Sequence, residues 1–329
     1  MTPSQLICTS PTVPTLRIDD TPATHQSHFT HDADRIWPET NCYVDLWIEL
    51  LHSLGLDPVP SFAFVFSADH DGLQWSFIKP SPDDLRRLYG LDVTEENVWM
   101  PVLETVAAGR EQGILHTVEV DGWWLPDTAG TSYRSEHVKT TIVPTWLDRS
   151  EKRMRYLHNA GLFELGAEDF DGIFNLAPDT APSLPPYIER VRWQPRGGVG
   201  DAVAAVVEDH VSRRPIGNPV ERLASGIVTA SAWLPQAGDD RFHRWAFATL
   251  RQAGATAELA ADLAVHVDGL FDGTAAAESH FRSVAAGAKA VQFKMARVAR
   301  GRTVDVGPAL DEMSRSWQSA MDLVLDAVL

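Results

Sequence analysis

Long apolar runs and cysteines are scarce in this sequence of 329 residues. No window approaches the ~20 uninterrupted apolar residues that crossing a bilayer requires. The first twenty residues also lack the basic stretch followed by an apolar one that marks a secretory signal. Two cysteines, Cys8 and Cys42, are too few for a disulfide framework or a Cys-rich zinc site. We therefore expect a cytoplasmic protein that has no membrane partner.

Basic residues are in the minority. The sequence holds 28 Lys and Arg against 45 Asp and Glu, so its net charge is −17. Such an acidic surface repels phosphate backbones, which argues against nucleic acid as a partner. Hydrophobic residues make up 44% of the chain, with 11 Trp and 13 Phe, and can build a large core. The composition indicates a globular protein of one large or two ordinary domains.

Sequence patterns divide the chain into three parts. Residues 1–34 are rich in Thr, Pro, Ser and His without an apolar period, and are interpreted as an N-terminal arm. Residues 35–195 mix helical and strand patterns, which predicts an α+β domain. Residues 196–329 are Ala-rich with a 3.6-residue period, which predicts a bundle of about five helices. Repeated prolines between 177 and 200 indicate the boundary between the two domains.

The α+β region carries recognisable element boundaries. Apolar residues at three- and four-residue spacing predict a helix that begins near Asn41 and ends before Gly55. A second helix is predicted at 80–90, where Pro and Asp come early and Gly comes last. Runs of β-branched and aromatic residues predict the remaining elements, which are strands at 61–68, 73–78 and 114–120 and a hairpin at 137–159.

A cysteine stands at the start of the first predicted helix. Cys42 would lie at the positive end of the helix dipole, where backbone N–H groups stabilise a thiolate and can form half of an oxyanion hole. A single cysteine is also commonly a small buried hydrophobe. The position of Cys42 therefore predicts a nucleophile only if a base lies nearby.

Histidines on the predicted hairpin supply candidate bases. His137 precedes one strand and Asn159 ends the other, so the two would face each other across the hairpin. A nucleophilic cysteine needs a base that a third group orients, and Cys42, His137 and Asn159 follow one another in the papain-like order. His116, which has Asp127 eleven residues on, and His158, which adjoins Asn159, remain alternative bases.

Several blocks resemble the bacterial family named domain of unknown function 1839, over about residues 35–305. They include WPETNCYVDLWIELLHSLGLDP, RYLHNAGLFELGAEDF and FRSVAAGAKAVQFKMARV. The first half also resembles the N-terminal domain of the butirosin-biosynthesis acyltransferase family. The shared pattern is Asn41-Cys42 opening a helix, a strand that ends at Asp121 with Leu125-Pro126 after it, and His137 before a strand. Asn159, preceded by His158, departs from the strand end with Asp that this family has.

The second resemblance implies a papain-like, bacteriocin-processing-peptidase-like fold for the N-terminal domain. It also implies acyl transfer from a carrier-protein thioester. We therefore expect an acyltransferase or aminoacyltransferase in which Cys42 takes the acyl group from a carrier-protein phosphopantetheine and passes it to a second carrier protein or an amine. The enzyme itself is expected to bind no cofactor. The alternatives are a papain-like peptidase or amidase and a non-catalytic binding protein.

Other polar residues near these motifs are candidate substrate contacts. Asp121 and Asp127 flank a pair of tryptophans and could hold the ammonium group of an aminoacyl substrate, although a strand end and a capped loop explain them equally well. The full predicted set is Glu39, Asn41, Asp121, Trp124, Asp127 and His158. His25, His28 and His31 are interpreted as a surface loop, and no metal site is expected.

The helix predicted around 278–302 carries an unusual excess of basic residues. Lys289 and Arg300 gather opposite its apolar face, with Arg297 at the edge of the same stripe. The apolar face is predicted to consist of Val284, Val291, Met295 and Val298. Carrier proteins are acidic around their phosphopantetheine serine, so this stripe is a candidate docking surface. A solvated helix face is the simpler interpretation. Both interpretations predict that the stripe faces solvent.

Overall fold

A computed structural model describes residues 15–176, 186–194 and 199–329 of the chain. Residues 1–14 of the predicted arm, which include Cys8, lie outside the described residues, as do parts of the predicted boundary at 177–200. Leu16 and Ile18 are buried against the sheet, so the described end of the arm packs on the domain.

The N-terminal region is built on one six-stranded sheet in which every pair of neighbours is antiparallel. Its order is β1-β6-β2-β3-β4-β5. The predicted hairpin is confirmed as β3 and β4, and the chain then turns back once more as β5. The strands are β1 (Leu91–Glu95), β2 (Leu115–Asp121), β3 (Lys139–Asp148), β4 (Arg153–His158), β5 (Gly161–Gly166) and β6 (Ile188–Trp193).

In the described part of this region, four α-helices accompany the sheet: α1 (Cys42–Ser53), α2 (Pro82–Tyr89), α3 (Val102–Glu111) and α4 (Ala167–Ile173). Helix α1 lies on β3 and β4, which brings its first residue toward the strands. The predicted helix ends are confirmed, since Gly55 and Gly90 both adopt positive φ (71° and 69°) just past α1 and α2. A left-handed residue of this kind satisfies the last helical carbonyl groups.

Two predicted strands are wrong. Val59–Ser67 forms a 3-10 helix, and the segment 73–78 contributes only a bridge between Trp75 and His70. Residues 59–66 are all buried, so the apolar run carries no alternation between a buried and a solvent face. Such a run is compatible with either a buried strand or a buried helical segment, and its packing decides between them.

The C-terminal region is helical, as predicted. A π-helical turn (Phe247–Arg251) joins the third and fourth helices of this region. Pro219–Trp233 is a helix that the sequence interpretation omitted, although its buried residues recur at helical spacing. The helices are α5 (Val199–Ser212), α6 (Pro219–Trp233), α7 (Asp239–Ala246), α8 (Gln252–His266), α9 (Glu278–Ala299) and α10 (Gly307–Val328).

The largest hydrophobic core joins both regions. The 3-10 helix Val59–Ser67 packs on α5 and α8, and Trp37 and Val44 belong to the same cluster. The segment before α1 is therefore held by the C-terminal helices. The structure confirms the α+β class and the helical C-terminal region, while the papain-like relation stays a prediction. Within the described residues, no helix is long and apolar enough to cross a membrane.

Candidate active site

A cavity of about 890 Å³ opens between the start of α1, strands β2, β3 and β6, and the π-helical turn. Cys42 lies on its wall together with four other predicted site residues, Glu39, Asn41, His158 and Asn159. The π-helical turn contributes Phe247 and Arg251. Single π-helical turns inside α-helices frequently mark functional sites. The cavity thus brings residues from both halves of the chain to the predicted nucleophile.

The start of α1 is closed by the side chain of Asn41. Its oxygen accepts hydrogen bonds from the backbone N–H groups of Tyr43 (3.1 Å) and Val44 (3.0 Å). Its amide donates to the carbonyl oxygen of Ile78 and to the side chain of Gln252. Asn41 lines the cavity, but its polar atoms are engaged in building this helix end. The amides of Tyr43 and Val44 are accordingly occupied, and the oxyanion hole expected at this helix start stays a prediction.

The surroundings of Cys42 raise the pKa of its thiol and so favour the protonated form. Burial raises its pKa above the ordinary value, and the nearby Asp45 carboxylate raises it further. The Thr140 hydroxyl and the Lys139 ammonium oppose this rise without cancelling it. Because burial outweighs the effect of the helix terminus, the predicted preformed thiolate is not what the structure supports. A base must remove the thiol proton for Cys42 to act as a nucleophile.

A hydrogen-bonded chain leads from Thr140, beside Cys42, to a buried carboxylate. The Thr140 hydroxyl lowers the pKa of the Cys42 thiol and lies 2.7 Å from Nε2 of His158. Nδ1 of His158 is 2.6 Å from an oxygen of Asp127, and Tyr156 donates to the other oxygen at 2.5 Å. Since Asp127 requires a proton on Nδ1, Nε2 is left as an acceptor for the Thr140 hydroxyl.

The predicted base His137 is not brought to the cavity. Its ring stacks on Trp123, its Nδ1 lies 2.5 Å from Asp121, and 71% of its side chain is exposed. His116 is also excluded, because it packs beside Glu96 in a separate, smaller pocket. The imidazole on the wall that holds Cys42 is that of His158, which the sequence interpretation left open as an alternative.

The orienting group also differs from the prediction. Asn159 lines the cavity but occupies the turn between β4 and β5 with a positive φ of 45°. Asp127, predicted to contact substrate, instead accepts the hydrogen bonds of His158 and Tyr156. Its side chain is only 4% exposed, and it contacts the imidazole at Nδ1, on the opposite side of the ring from Thr140. The arrangement is therefore Cys42, Thr140, His158 and Asp127.

Three more predicted substrate contacts have other partners. Asp121 accepts from the backbone N–H of Trp123 and pairs with His137. Trp124 packs on Gly172 and lies 4.3 Å from the Arg134 guanidinium. Neither Asp121 nor Trp124 lines the cavity. Glu39 does line it, at an exposed position where it pairs with Arg251 at 3.2 Å.

The loop before Cys42 is anchored on the C-terminal helices. Glu258 accepts hydrogen bonds from the backbone N–H groups of Ile36 (3.1 Å) and Trp37 (2.6 Å). Lys289 donates to the carbonyl oxygen of Ile36 at 2.8 Å and lies 4.5 Å from the centre of the Trp37 ring. Arg251 donates to the carbonyl oxygen of Thr40. These contacts set the position at which α1 begins.

The contacts of Lys289 correct the predicted docking surface, because Lys289 is engaged with the loop and is not free for a partner. Arg297 and Arg300 are exposed, as predicted. The predicted apolar face of α9 is confirmed, since the valines and the methionine expected on it, Val284, Val291, Met295 and Val298, are all buried.

The histidines of the arm do not form an exposed loop. The side chains of His25 and His31 are nearly buried and lie 2.9 and 3.3 Å from the two oxygens of Glu49, which is fully buried. The backbone N–H of His28 donates to the same carboxylate. The surface-loop interpretation is therefore wrong. The described residues contain no group of three or more His, Cys, Asp or Glu side chains arranged to hold a metal ion.

Comparison with known families accounts for nearly the whole chain. Residues 26–193 match the DUF1839 N-terminal domain, and residues 199–326 match the DUF1839 C-terminal domain. The chain belongs to the DUF1839 family. A search of curated proteins found no match. In this DUF1839 protein the cavity is lined by residues of both matched domains.

Several buried polar residues of the cavity escaped the sequence interpretation, among them Thr140 and Glu189. Thr140 lies in a run of β-branched residues, where a threonine is typical of any strand. Glu189 lies in a short strand next to the proline-rich segment, and a charged residue there is indistinguishable from a solvent-facing one. His158, in contrast, could be recognised from the sequence as a candidate, because it ends a predicted strand beside Asn159.

Proposed function

We propose that this DUF1839 protein is a cysteine-dependent acyltransferase that forms a thioester on Cys42. One observation carries the proposal: a buried carboxylate, an imidazole and a hydroxyl are hydrogen-bonded in sequence and end at a cysteine on the wall of a large cavity. Nucleophilic catalysis requires this order of nucleophile, base and orienting group. Thr140 inserts one additional hydroxyl between the nucleophile and the base.

In the first step, the Cys42 sulfur attacks the carbonyl carbon of a donor thioester. The thiol proton moves to the Thr140 oxygen while the Thr140 proton moves to Nε2 of His158, and Asp127 stabilises the resulting imidazolium. Collapse of the tetrahedral intermediate breaks the bond between the carbonyl carbon and the donor sulfur. The proton returns along the same path to the donor thiolate, which leaves as a thiol.

In the second step, an acceptor amine or thiol attacks the Cys42 thioester. His158 takes the acceptor proton, directly or through Thr140, and the proton returns to the Cys42 sulfur as the acyl group leaves. Transfer from one thioester to another thiol is nearly isoenergetic and therefore reversible. Transfer to an amine forms an amide and runs downhill.

The proposed donor is an acyl group on the phosphopantetheine of a carrier protein. The cavity opens to solvent beside two half-exposed aromatic rings, Phe77 and Phe247, which can pack against a pantetheine chain. The resemblance of the segments around Cys42 and Asp121 to the butirosin-biosynthesis acyltransferase family supports the same donor and a papain-like ancestry. The exposed Arg297 and Arg300 are the proposed contacts for an acidic carrier protein, and the protein itself needs no bound cofactor.

Intact-protein mass spectrometry tests the proposal. The wild-type protein and the Cys42→Ala and Cys8→Ser variants are incubated with a panel of acyl-pantetheine thioesters. We expect an acyl adduct on the wild type and on Cys8→Ser, because Cys42 remains, and none on Cys42→Ala. An absent adduct on the wild type, or an undiminished one on Cys42→Ala, would contradict the proposal. Adding an amino-acid amide then separates transfer to an amine from hydrolysis, which a peptidase or amidase would favour.

A further inference from the structure

A buried carboxylate lines the same cavity as Cys42. Glu189 is only 4% exposed and belongs to β6, where it is paired with Thr117 of β2. It is one of the residues that line the cavity. A charged side chain is rarely buried to this extent without a partner that compensates its charge.

Three hydroxyl groups hold this carboxylate in place. Tyr43 donates to one oxygen at 2.6 Å and Thr117 donates to the same oxygen at 2.8 Å, while Tyr187 donates to the other at 3.0 Å. Burial and the neighbouring Glu189 charge raise the pKa of Tyr187 to about 12, so its hydroxyl remains a donor. Hydrogen bonds of this kind stabilise a negative charge without neutralising it. Tyr43 directly follows Cys42 in the chain, so its hydrogen bond connects the carboxylate to the start of α1.

Among the described residues, no Lys, Arg or His side chain lies within 4.0 Å of the Glu189 carboxylate. Two other glutamates of the cavity do have such partners: Glu119 pairs with Lys139 at 2.6 Å, and Glu39 pairs with Arg251 at 3.2 Å. Lys79 also lines the cavity, but its ammonium lies over the Tyr43 ring, 5.4 Å from the centroid. The protein therefore leaves the charge of Glu189 uncompensated.

We propose that Glu189 binds a protonated amine on the acyl group, so that the donor is an aminoacyl thioester. This inference rests on the proposed function and names the substrate class of the same site. The Glu189 oxygen that receives only the Tyr187 hydrogen bond retains a lone pair for an ammonium N–H. Asp127, which the sequence suggested for this role, is already engaged by His158 and Tyr156.

This assignment predicts selectivity as well as binding. An acyl group without an amine would enter the cavity and leave the Glu189 charge both uncompensated and further desolvated. A site built to pair with a polar or charged group rejects an analogue that lacks it more strongly than an apolar pocket rejects a small change in size. Aminoacyl donors should therefore be preferred over acyl donors of the same shape.

Two pantetheine thioesters of matched shape test the proposal. Alanyl-pantetheine carries an ammonium group where isobutyryl-pantetheine carries a methyl group. The rate of Cys42 acylation is measured for each by intact-protein mass spectrometry. We expect the wild type to react about tenfold or more faster with the alanyl donor, as a charge-assisted hydrogen bond implies. Glu189→Gln should remove this preference by slowing the alanyl reaction and by speeding the isobutyryl reaction, because an apolar acyl group then no longer desolvates a charge.

Binding to the Cys42→Ala protein makes the test independent of catalysis. Titration calorimetry should show tighter binding of the alanyl thioester than of the isobutyryl one, and this difference should vanish in Cys42→Ala/Glu189→Gln. Glu119→Gln serves as the matched control and should retain the difference, because Glu119 already pairs with Lys139. Tyr187→Phe, which keeps the carboxylate, should weaken the preference without abolishing it, and it replaces Glu189→Gln if that variant does not fold.

The outcomes separate this inference from the proposed function. Acylation of Cys42 by both donors at equal rates, unchanged in Glu189→Gln, would overturn the role of Glu189 and leave acyl transfer standing. A preference for the alanyl thioester in the binding assay without any acylation would support Glu189 and contradict the transferase. Equal binding of both thioesters to Cys42→Ala would overturn the ammonium site whatever the acylation result.

Discussion

The Thr140 hydroxyl lies 2.7 Å from Nε2 of His158, and the same hydroxyl lowers the pKa of the Cys42 thiol. It therefore lies between a partly buried thiol and the imidazole that we propose as its base. Because burial raises the pKa of Cys42, the proposed nucleophile depends on this link to lose its proton.

Replacing Thr140 tests the link directly. Thr140→Val keeps the shape of the side chain but cannot carry a proton, so acylation of Cys42 should slow by about a hundredfold, the lower range for general base catalysis. Thr140→Ser keeps a hydroxyl and should stay within about tenfold of the wild type. Rates are measured by intact-protein mass spectrometry with acyl-pantetheine donors. Equal rates for the Val and Ser variants would mean that His158 receives the proton directly.

The structure favours His158 as the proposed base, whereas the sequence favoured His137. His158→Gln should abolish measurable acylation of Cys42, because it removes the base that Asp127 orients. His137→Gln should remain close to the wild type, because His137 is largely exposed and pairs with Asp121 outside the cavity. The check is the acylation rate of both variants, with circular dichroism to confirm folding. Loss of activity in His137→Gln alone would restore the sequence-based assignment.

The contacts that hold the loop before Cys42 should contribute to the free energy of unfolding. Glu258→Gln weakens two backbone hydrogen bonds to a buried charged acceptor, so the free energy of unfolding should fall by about 1–3 kcal/mol. Arg297→Gln, on the exposed face of α9, should change it by less than about 0.5 kcal/mol. Urea denaturation measures both. Comparable values for the two variants would show that Glu258 does not anchor the loop.

We expect Asp45 to lower the free energy of unfolding as the pH rises, whereas an ordinary paired carboxylate raises it. Burial raises the pKa of Asp45 from 3.8 to about 6, so the folded protein retains a proton there that the unfolded chain has lost. Stability attributable to Asp45 is therefore highest below about pH 4 and falls as the pH rises to about 6. The penalty above that range is about 3 kcal/mol, at about 1.4 kcal/mol per pH unit between the two pKa values.

Asp45→Asn isolates this contribution, because asparagine does not titrate. Between pH 4 and pH 7, the free energy of unfolding of the variant relative to the wild type should shift in favour of the variant. Asp240→Asn, at an exposed position, should show no comparable shift. The measurement is urea denaturation at several pH values. A difference between Asp45→Asn and the wild type that stays constant with pH would place the pKa of Asp45 near its ordinary value.

The proposed docking contacts should act mainly on association. Arg297→Glu/Arg300→Glu should weaken binding of an acidic carrier protein by about 0.2–1 kcal/mol per contact, with the loss in the association rate and smaller at high salt. Reaction of Cys42 with a free pantetheine thioester should not change. Surface plasmon resonance at two salt concentrations measures the effect. Unchanged kinetics in both conditions would place docking elsewhere on the protein.

Local patterns determined those elements whose ends and faces depend on nearby residues. Asn41 and Gly55 close the two ends of α1 through hydrogen bonds and dihedral angles within a few residues. The apolar period of α9 correctly identified its buried face. Local patterns of the same kind also predicted that Cys42 lies at a helix start and that His158 lies at a strand end beside Asn159.

Only the tertiary structure decided which side chains meet. The partner of His158 is Asp127, 31 residues away, and the carboxylate that holds Trp37 is Glu258, 221 residues away. No local period encodes such pairs, because they form when the sheet and the C-terminal helices pack on one core. Burial then set the chemistry: it raised the pKa of Cys42, engaged Lys289 with a loop, and left Glu189 without a cation among the described residues. A buried charge or hydrogen bond depends on everything that surrounds it in space, whereas a sequence pattern records only its neighbours along the chain.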